Sequence, residues 1–488
     1  DYAYLIWAPD DRRVTLVRSA IGLKFLYYRL LPDRLVVAST LRAVAALTPR
    51  SALNERWLAA FITHRWRPAE ETALADVRQV APATTLALDL ASGTVRAHRY
   101  WEPVVHDRYR DWREDDWSEA VRGTFETAIE AAFRTASPAT TSLSGGIDSS
   151  SINLVAHRLM HEAGRLPVRP VHAYSLRMPD FPDTDESAYR NAAAERVPRF
   201  DTQWIDVGAA WRWADVTAWH ARMSTPSLFP NAWMFQPLYE AARRHGSRIK
   251  VSGAGGDLMT GSEDYGLIEA WRSFPWRERL DEVRYFRPRR LAGLWLHAEA
   301  PRPLRERWVR MRRGPRRELH TPVVGSLAYD EPVPPPHGTP YQRLMIENLT
   351  QAHLLHPFHQ RAEISALHGL ELRMPFYDRR MIELMLQVPM RLRIRRRQNR
   401  VLFKRALRSD LPDALFARGR KADFTRFAME SVPLADRDRG LCLSPELWLA
   451  EQGWIDPTSW RAAVADQRWV PLFRLAHANQ WIEGWRGS

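Results

Sequence analysis

Ser142-Leu143-Ser144-Gly145-Gly146-Ile147-Asp148-Ser149-Ser150 stands between a short strand-like run, Thr140 to Leu143, and a helical pattern over Ser150 to Leu159. A strand that passes through two glycines into a helix leaves backbone N–H groups free at the helix start. Orphan donors and the helix dipole favour an anion there. Gly145 and Gly146 let the backbone approach a ligand closely, and the hydroxyls of Ser144, Ser149 and Ser150 can donate to phosphate oxygens. No Gly-Lys-Ser/Thr follows, so this is not a Walker A loop. A carboxylate in an anion loop is unfavourable by itself, and Asp148 makes sense if it holds a cation that bridges to pyrophosphate.

Outward from this loop, helical and strand patterns alternate. Glu119 to Arg134 is predicted as a helix, Val171 to Leu176 as a strand and Glu186 to Arg196 as a helix. Gln203 to Asp206 follows as a strand, Met234 to Arg244 as a helix and Ile249 to Ser252 as a strand. That order predicts an α/β fold with a parallel sheet covered on both faces. Beyond Gly261 the chain reads as mostly helical, broken by the Pro-rich stretch from Pro332 to Pro340. The front is different. Tyr2 to Trp7, Val14 to Arg18, Phe25 to Arg29, Arg34 to Ala38, Thr84 to Leu90 and Thr94 to Tyr100 read as short strands. The polar segment from His106 to Trp117 reads as a linker. Two domains are expected, residues 1–105 and 118–488.

Of the 488 residues 45% are hydrophobic, enough for proper cores. No run of about 18 apolar residues appears, so no helix is expected to span a membrane. No secretory signal pattern opens the chain. The single cysteine, Cys442, forms no internal disulfide, which fits a reducing, cytoplasmic location. A formal net charge of +14 ordinarily points to a polyanion. All but four of the 71 basic residues are arginine, however, the lysines being Lys24, Lys250, Lys404 and Lys421. So lopsided a ratio reads as codon bias across the whole chain, and it argues against nucleic acid as the partner.

The phosphate loop resembles that of the N-type ATP pyrophosphatases (the PP-loop enzymes), in detail that of the asparagine synthetase branch. The resemblance implies cleavage of ATP to AMP and pyrophosphate, with Mg2+. Ser252-Gly253-Ala254-Gly255-Gly256-Asp257 is similar to the branch's second Gly-rich acidic motif. That likeness makes Asp257 the second metal ligand beside Asp148, although Leu258 stands where the family has a further acid. Gly369-Leu370-Glu371-Leu372-Arg373-Met374-Pro375-Phe376-Tyr377-Asp378 resembles the branch's Glu-x-Arg-x-Pro-Phe-x-Asp signature, which implies Glu371 at the acceptor site, as a base for the attacking amine. Leu411-Pro412 with Arg418 and Lys421-Ala422-Asp423-Phe424 looks like the family's C-terminal segment, with one residue more between arginine and lysine. There Lys421, or Arg420 in its place, stabilises charge on the phosphates. Lys404 also matches a family lysine and reads as structural. Asp185-Glu186-Ser187 fits a family segment at the nucleotide edge. Adenine is expected against backbone near Leu143 and Tyr174–Ser175, with Ser175 and Gly255 among the nucleotide contacts.

Tyr2 to Trp7, Arg18, Gly22, Leu26-Tyr27-Tyr28 and Ala38-Ser39 look like the later half of the family's glutaminase (Ntn-type) domain. Asp1 falls where that domain is already under way, so residues preceding Asp1 are left open. The family's Arg-Asp is Arg18-Ser19 here, and Phe25 replaces a proline. With Cys442 far downstream, no residue of these 488 supplies the thiol for releasing ammonia from glutamine. The front half therefore reads as a degenerate scaffold. Members of the branch without that activity include β-lactam synthetases and lasso-peptide cyclases, and the degenerate front and Gly255-Gly256-Asp257 look most like a lasso-peptide cyclase. The resemblance implies a ribosomally made precursor peptide as substrate. An Asp or Glu side chain is adenylated and the peptide's N-terminal amine closes a macrolactam, with a leader-binding protein and a leader peptidase as partners. A β-lactam or asparagine synthetase-like ligase acting on a small amino acid is the alternative. Trp211, Trp213, Trp219, Trp233, Trp271 and Trp276, with Arg289, Arg290, Arg302 and Arg305, are candidate peptide anchors.

Overall fold

The computed structural model describes residues 1–207, 222–228, 232–261, 269–271, 273–283, 285, 322–327, 329–330, 338–396, 398–418, 448–456, 458–459, 461–462 and 469–486. The front segment opens with β1 (Ala3–Ala8), β2 (Arg13–Arg18), β3 (Tyr27–Leu30) and β4 (Leu35–Ala38). Helices α1 (Leu41–Ala46) and α2 (Glu55–Thr63) follow, then β5 (Arg78–Gln79), β6 (Thr84–Asp89) and β7 (Val95–Arg99). The strands form an antiparallel sheet β1-β2-β6-β7 and a smaller one, β4-β3-β5. β6 alternates buried and half-buried residues, as a strand with one face on a core must. The two helices were not expected in a β-rich region. Each is started by a side-chain cap, Thr40 accepting from the Ala43 N–H at 3.2 Å and Asn54 from the Trp57 N–H at 3.0 Å.

The second segment begins with α3 (Glu114–Ala132), which starts inside the stretch read as linker. Glu114, Asp115 and Asp116 fill its first turn, where negative charge suits the dipole, and the Asp116 carboxylate accepts from the Arg113 N–H at 2.8 Å. There follow β8 (Ala139–Ser142), α4 (Ile147–His161), β9 (Val171–Arg177), α5 (Ser187–Ala194), β10 (Asp201–Asp206), α6 (Gln236–Arg244), β11 (Ile249–Val251) and α7 (Gly256–Thr260). A further strand, β12 (Glu371–Arg373), comes after α8 (Ala352–Leu367). These strands make one parallel sheet in the order β10-β9-β8-β11-β12. Ala173 and Tyr174 are neighbours on β9 and so point to opposite faces. Ala173 joins the large core with α3 and α4, and Tyr174 a separate cluster with Leu238, Tyr239, Ile364 and Leu370 of α6, α8 and the turn before β12. The sheet is therefore covered on both sides.

The two segments share cores. Ile21, Leu23, Ala83 and Trp101 lie in the same cluster as Trp117, Phe125 and Phe376. Trp57, Leu58 and Phe61 of α2 pack with Leu475, Trp481 and Ile482 of the last helix, Trp469–Arg486. Arg18 is wholly buried and donates to the carbonyls of Gly22, Lys24 (2.8 Å) and Val80 (2.6 Å), so its guanidinium serves the backbone of its own segment. Among the described residues, no helix is long and apolar enough to cross a membrane.

Candidate active site

In the order β10-β9-β8-β11-β12, the chain runs one way from β8 through β9 to β10, then crosses back to β11 on the other side of β8 and continues to β12. The crevice outside the C-terminal ends of β8 and β11 is therefore the switch point, where doubly wound sheets take ligands. Both glycine-rich segments leave the sheet there, 143–150 after β8 and 252–257 after β11.

The first loop is tied to itself by its serines. The Ser144 and Ser149 hydroxyls lie 3.0 Å apart, the Ser144 N–H donates to Ser149 Oγ at 3.2 Å, and Ser149 Oγ donates to the Gly146 carbonyl at 3.2 Å. Gly145 has φ +81° and a side chain there would collide with the backbone of α5's first turn. Ser150 Oγ is buried with no hydrogen-bond partner among the described residues. On the edge away from β11, the Ser175 hydroxyl donates to the Leu143 carbonyl at 2.5 Å and accepts from Arg190 Nε at 2.9 Å. Gly256 carries the closest approach of all. A Cβ on it would lie 2.3 Å from Asp148 Cγ, so the two loops touch because Gly256 has no side chain. Gly255, at φ +89°, is close to the Tyr377 ring, where a Cβ would lie 2.9 Å from Cζ.

This packing brings Asp148 and Asp257 to one spot. The Arg400 guanidinium spans them, Nη1 to Asp148 and Nη2 to Asp257. Two carboxylates from different loops that share one guanidinium are a donor set that a Mg2+ ion fits, since Mg2+ takes one or two carboxylates and completes its shell with water and phosphate oxygens. More positive charge surrounds the first loop. Arg418, buried, donates to the Gly145 carbonyl and pairs with Glu186. Lys404 donates to the carbonyls of Phe416 at 3.0 Å and Arg418 at 2.7 Å. Burial first, then the charges of Arg400 and Arg418, pull its ammonium down to about 8. Lys421 and Arg420 lie outside the described residues, as do Trp211, Trp213, Trp219 and the four arginines from Arg289 to Arg305 named with them. Nothing is described of the Trp233 side chain. Trp271 is half-buried and Trp276 exposed.

Glu371 is placed elsewhere. It begins β12, level with Ile249 and, one strand further, Ala139, whereas the loops leave from strand ends roughly 10 Å further along at about 3.3 Å per residue. Its carboxylate meets Arg373 Nε at 3.0 Å and Lys24 of the front segment at 3.7 Å. Burial favours the protonated form, but the Arg373 hydrogen bond and the charges of Lys24 and Arg373 hold its carboxyl below the usual range. The structure thus gathers Leu143, Ser144, Gly145, Gly146, Asp148, Ser149, Ser150, Ser175, Gly255 and Asp257, and sets Glu371 apart. Sequence reasoning missed Arg400. It sits four residues before Lys404, which places both at one face of the helix α9 (Val401–Ala406) that Arg400 caps, but one arginine among so many carried no mark.

Residues 120–483 match the asparagine synthase family and residues 1–101 a glutamine amidotransferase domain. The chain belongs to the asparagine synthase family. It is 26% identical over 285 residues to an amidase, chry2, of Gibberella zeae, covering 56% of this chain and 40% of the amidase. To asparagine synthetase [glutamine-hydrolyzing] 1 of Bacillus subtilis it is 22% identical over 436 residues, covering 86% of this chain and 66% of that one. To the carboxyethyl-arginine beta-lactam-synthase of Streptomyces clavuligerus it is 36% identical over 89 residues, 18% of this chain and 17% of the other. The chain thus spans about two-fifths of the amidase relative's length.

Proposed function

We propose that this member of the asparagine synthase family forms an amide at the expense of ATP, by adenylating a carboxylate and passing the acyl group to an amine. The observation that carries the reading is the meeting of two glycine-rich loops at the sheet's switch point, with Asp148 and Asp257 at one positive group. Family enzymes use ATP. In the first step a substrate carboxylate oxygen attacks the α-phosphorus and the bond to the β-phosphate oxygen breaks. Backbone N–H groups at the start of α4, with the hydroxyls of Ser144, Ser149 and Ser150, hold the departing pyrophosphate. Mg2+, held by Asp148 and Asp257, would neutralise phosphate charge. With the two carboxylates on that ion, Arg400 would be available to the phosphates. In the second step an amine attacks the acyl carbon, AMP leaves and the amine gives up a proton. The PP-loop assignment, Lys421 as a phosphate ligand and Glu371 as the proton acceptor belong to this proposal, as does the Ntn-type origin of the front segment.

For the substrate we propose a ribosomally made peptide whose own N-terminal amine closes a macrolactam on an Asp or Glu side chain, with a leader-binding protein and a leader peptidase as partners in the cytoplasm. The Arg18-Ser19 pair supports it, with Arg18 spent on backbone carbonyls. A small amino-acid substrate is the second reading, favoured by the segment 36% identical to a beta-lactam-synthase. The test is incubation with ATP, Mg2+ and candidate precursor peptides, with and without the partner proteins, followed by mass spectrometry and nucleotide analysis. AMP, pyrophosphate and a peptide lighter by one water support cyclisation. AMP formed only with a small amino acid supports the second reading, and ADP as product sinks adenylation.

A further inference from the structure

The far end of the sheet carries a cluster that the amide-forming reading does not use. His172 and Asp201 are register partners on the parallel strands β9 and β10, so their side chains rise side by side from one face. His172 Nδ1 lies 2.8 Å from Asp201 Oδ2. His245, which closes α6, stacks on His172 with ring centroids 4.4 Å apart and planes 28° from parallel. One nitrogen or oxygen from each of the three side chains lies within 4.8 Å of the others.

Each of these groups has a neighbour that orients it. Tyr174, two residues along β9 and on the same face as His172, is buried, and its hydroxyl meets His245 Nδ1 at 2.5 Å. With Nδ1–H donating to the phenol oxygen, the Nε2 lone pair of His245 is left for a ligand. Gln203, two residues along β10, donates to Asp201 Oδ2 at 2.6 Å. His172 Nδ1 and Asp201 Oδ2, 2.8 Å apart across a shared proton, are close enough to ligate one ion, which takes the place of that proton as it moves to Nε2. A hydrogen-bonded His245 imidazole and an oriented Asp201 carboxylate are supports of the kind that metal-ligating side chains have.

We propose that His172, Asp201 and His245 form a divalent transition-metal site, with zinc the expected ion and the fourth position open to water. Two imidazoles and one carboxylate are a borderline nitrogen–oxygen set, suited to zinc and its neighbours rather than to magnesium or calcium. Tetrahedral bonds of about 2.0–2.1 Å place ligand atoms roughly 3.3 Å apart, so the widest pair here closes by about 1.5 Å on binding. Asp201 and His245 are exposed and have the freedom to do so. The charge of Arg244, which reaches Tyr174, opposes the cation, and the Asp201 carboxylate offsets it. Bound metal ties β9 and β10 to the end of α6, away from the nucleotide loops. This site therefore stands or falls independently of the catalytic reading.

The test uses tag-free, metal-stripped protein dialysed to equilibrium against zinc chloride and then analysed for metal, with thermal unfolding measured in parallel. One equivalent of zinc is expected in the unmodified protein and in a control, His98→Ala, but not in His245→Ala. Zinc is expected to raise the unfolding midpoint of the first two proteins and leave that of His245→Ala unmoved. His172→Ala repeats the comparison from the strand side. Zinc retained at one equivalent by His245→Ala, or no equivalent bound by the unmodified protein, overturns the proposal.

Discussion

Arg400 has φ +62° and ψ +32°, a left-handed backbone conformation that arginine rarely takes, and its side chain lies between two carboxylates. The guanidinium is largely buried, as is Asp148, while Asp257 is mostly exposed. Without the arginine, Asp148 and Asp257 lose the positive group that they share. Arg400→Ala should therefore destabilise the nucleotide-free protein by about 2 kcal/mol, below the 3–5 of a fully buried pair because Asp257 is in water. Millimolar MgCl2 should return most of that loss, because a cation then sits where the guanidinium was. Scanning calorimetry of both proteins with and without MgCl2 checks this, and a gap that magnesium does not narrow removes Asp148 and Asp257 as a metal pair. Glu371 makes a second case. Glu371→Gln keeps the size but loses the carboxylate that Arg373 and Lys24 hold. If Glu371 accepts the amine's proton, substrate-dependent ATP–pyrophosphate exchange survives while amide formation falls by on the order of 100-fold. Equal loss of both activities would show instead that Glu371 only braces the junction between the segments.

Among elements, the contact between the loop before α4 and the start of α7 rests on Gly256. A methyl group 2.3 Å from Asp148 Cγ cannot be absorbed without moving one loop. Gly256→Ala should weaken ATP binding at least tenfold, about 1.4 kcal/mol, with a smaller effect on folding. Isothermal titration with a non-hydrolysable ATP analogue reads the affinity directly, and unchanged binding would mean that the loops part freely. Much of this region was legible beforehand. Helices α3 to α6 carry periodic apolar patterns, the short strands β8 to β11 are set by their alternation with those helices, and the glycines and Asp148 mark the loop by type and order. β12 was not legible, because three residues are too few for any period and its pairing with β11 is long-range. The placement of Glu371 was lost with it, since only the register shows it level with strand starts. The helices α1 and α2 were hidden because a run such as Trp57 to Ile62, buried throughout, has no polar face to reveal a helical period.

At the scale of the whole molecule, the junction between front and rear is built on neutral histidines. His356 and His359 lie on α8 against the front segment. His356 Nδ1 is 2.9 Å from an Arg67 nitrogen, and His359 Nε2 is 3.0 Å from the Ile21 carbonyl. His477, in the last helix, is 3.1 Å from the Ser227 carbonyl through Nδ1. Burial disfavours the charged imidazole of all three. It takes His356 well below its ordinary value, with Arg67 adding to the effect, His359 to about 3, with Arg18 adding, and His477 to about 4. The unfolded chain keeps these groups near 6.5, so above that pH neither state binds the protons and stability does not vary on their account. Below it the unfolded chain takes up protons that the folded one refuses, and stability falls until the pH reaches the folded values. Each such group contributes about 1.4 kcal/mol per pH unit, so three give a slope of about 4 between roughly pH 6 and 4. Against a total of about 5–15 kcal/mol, a loss of about 8 kcal/mol by pH 4 is a large part of the stability. Urea titrations at half-unit intervals from pH 7.5 to 4.5 measure it, with His477→Gln expected to reduce the slope by about 1.4 kcal/mol per pH unit. A urea midpoint that stays level from pH 7 to 5 would mean that these histidines are reached by water and protonate in place.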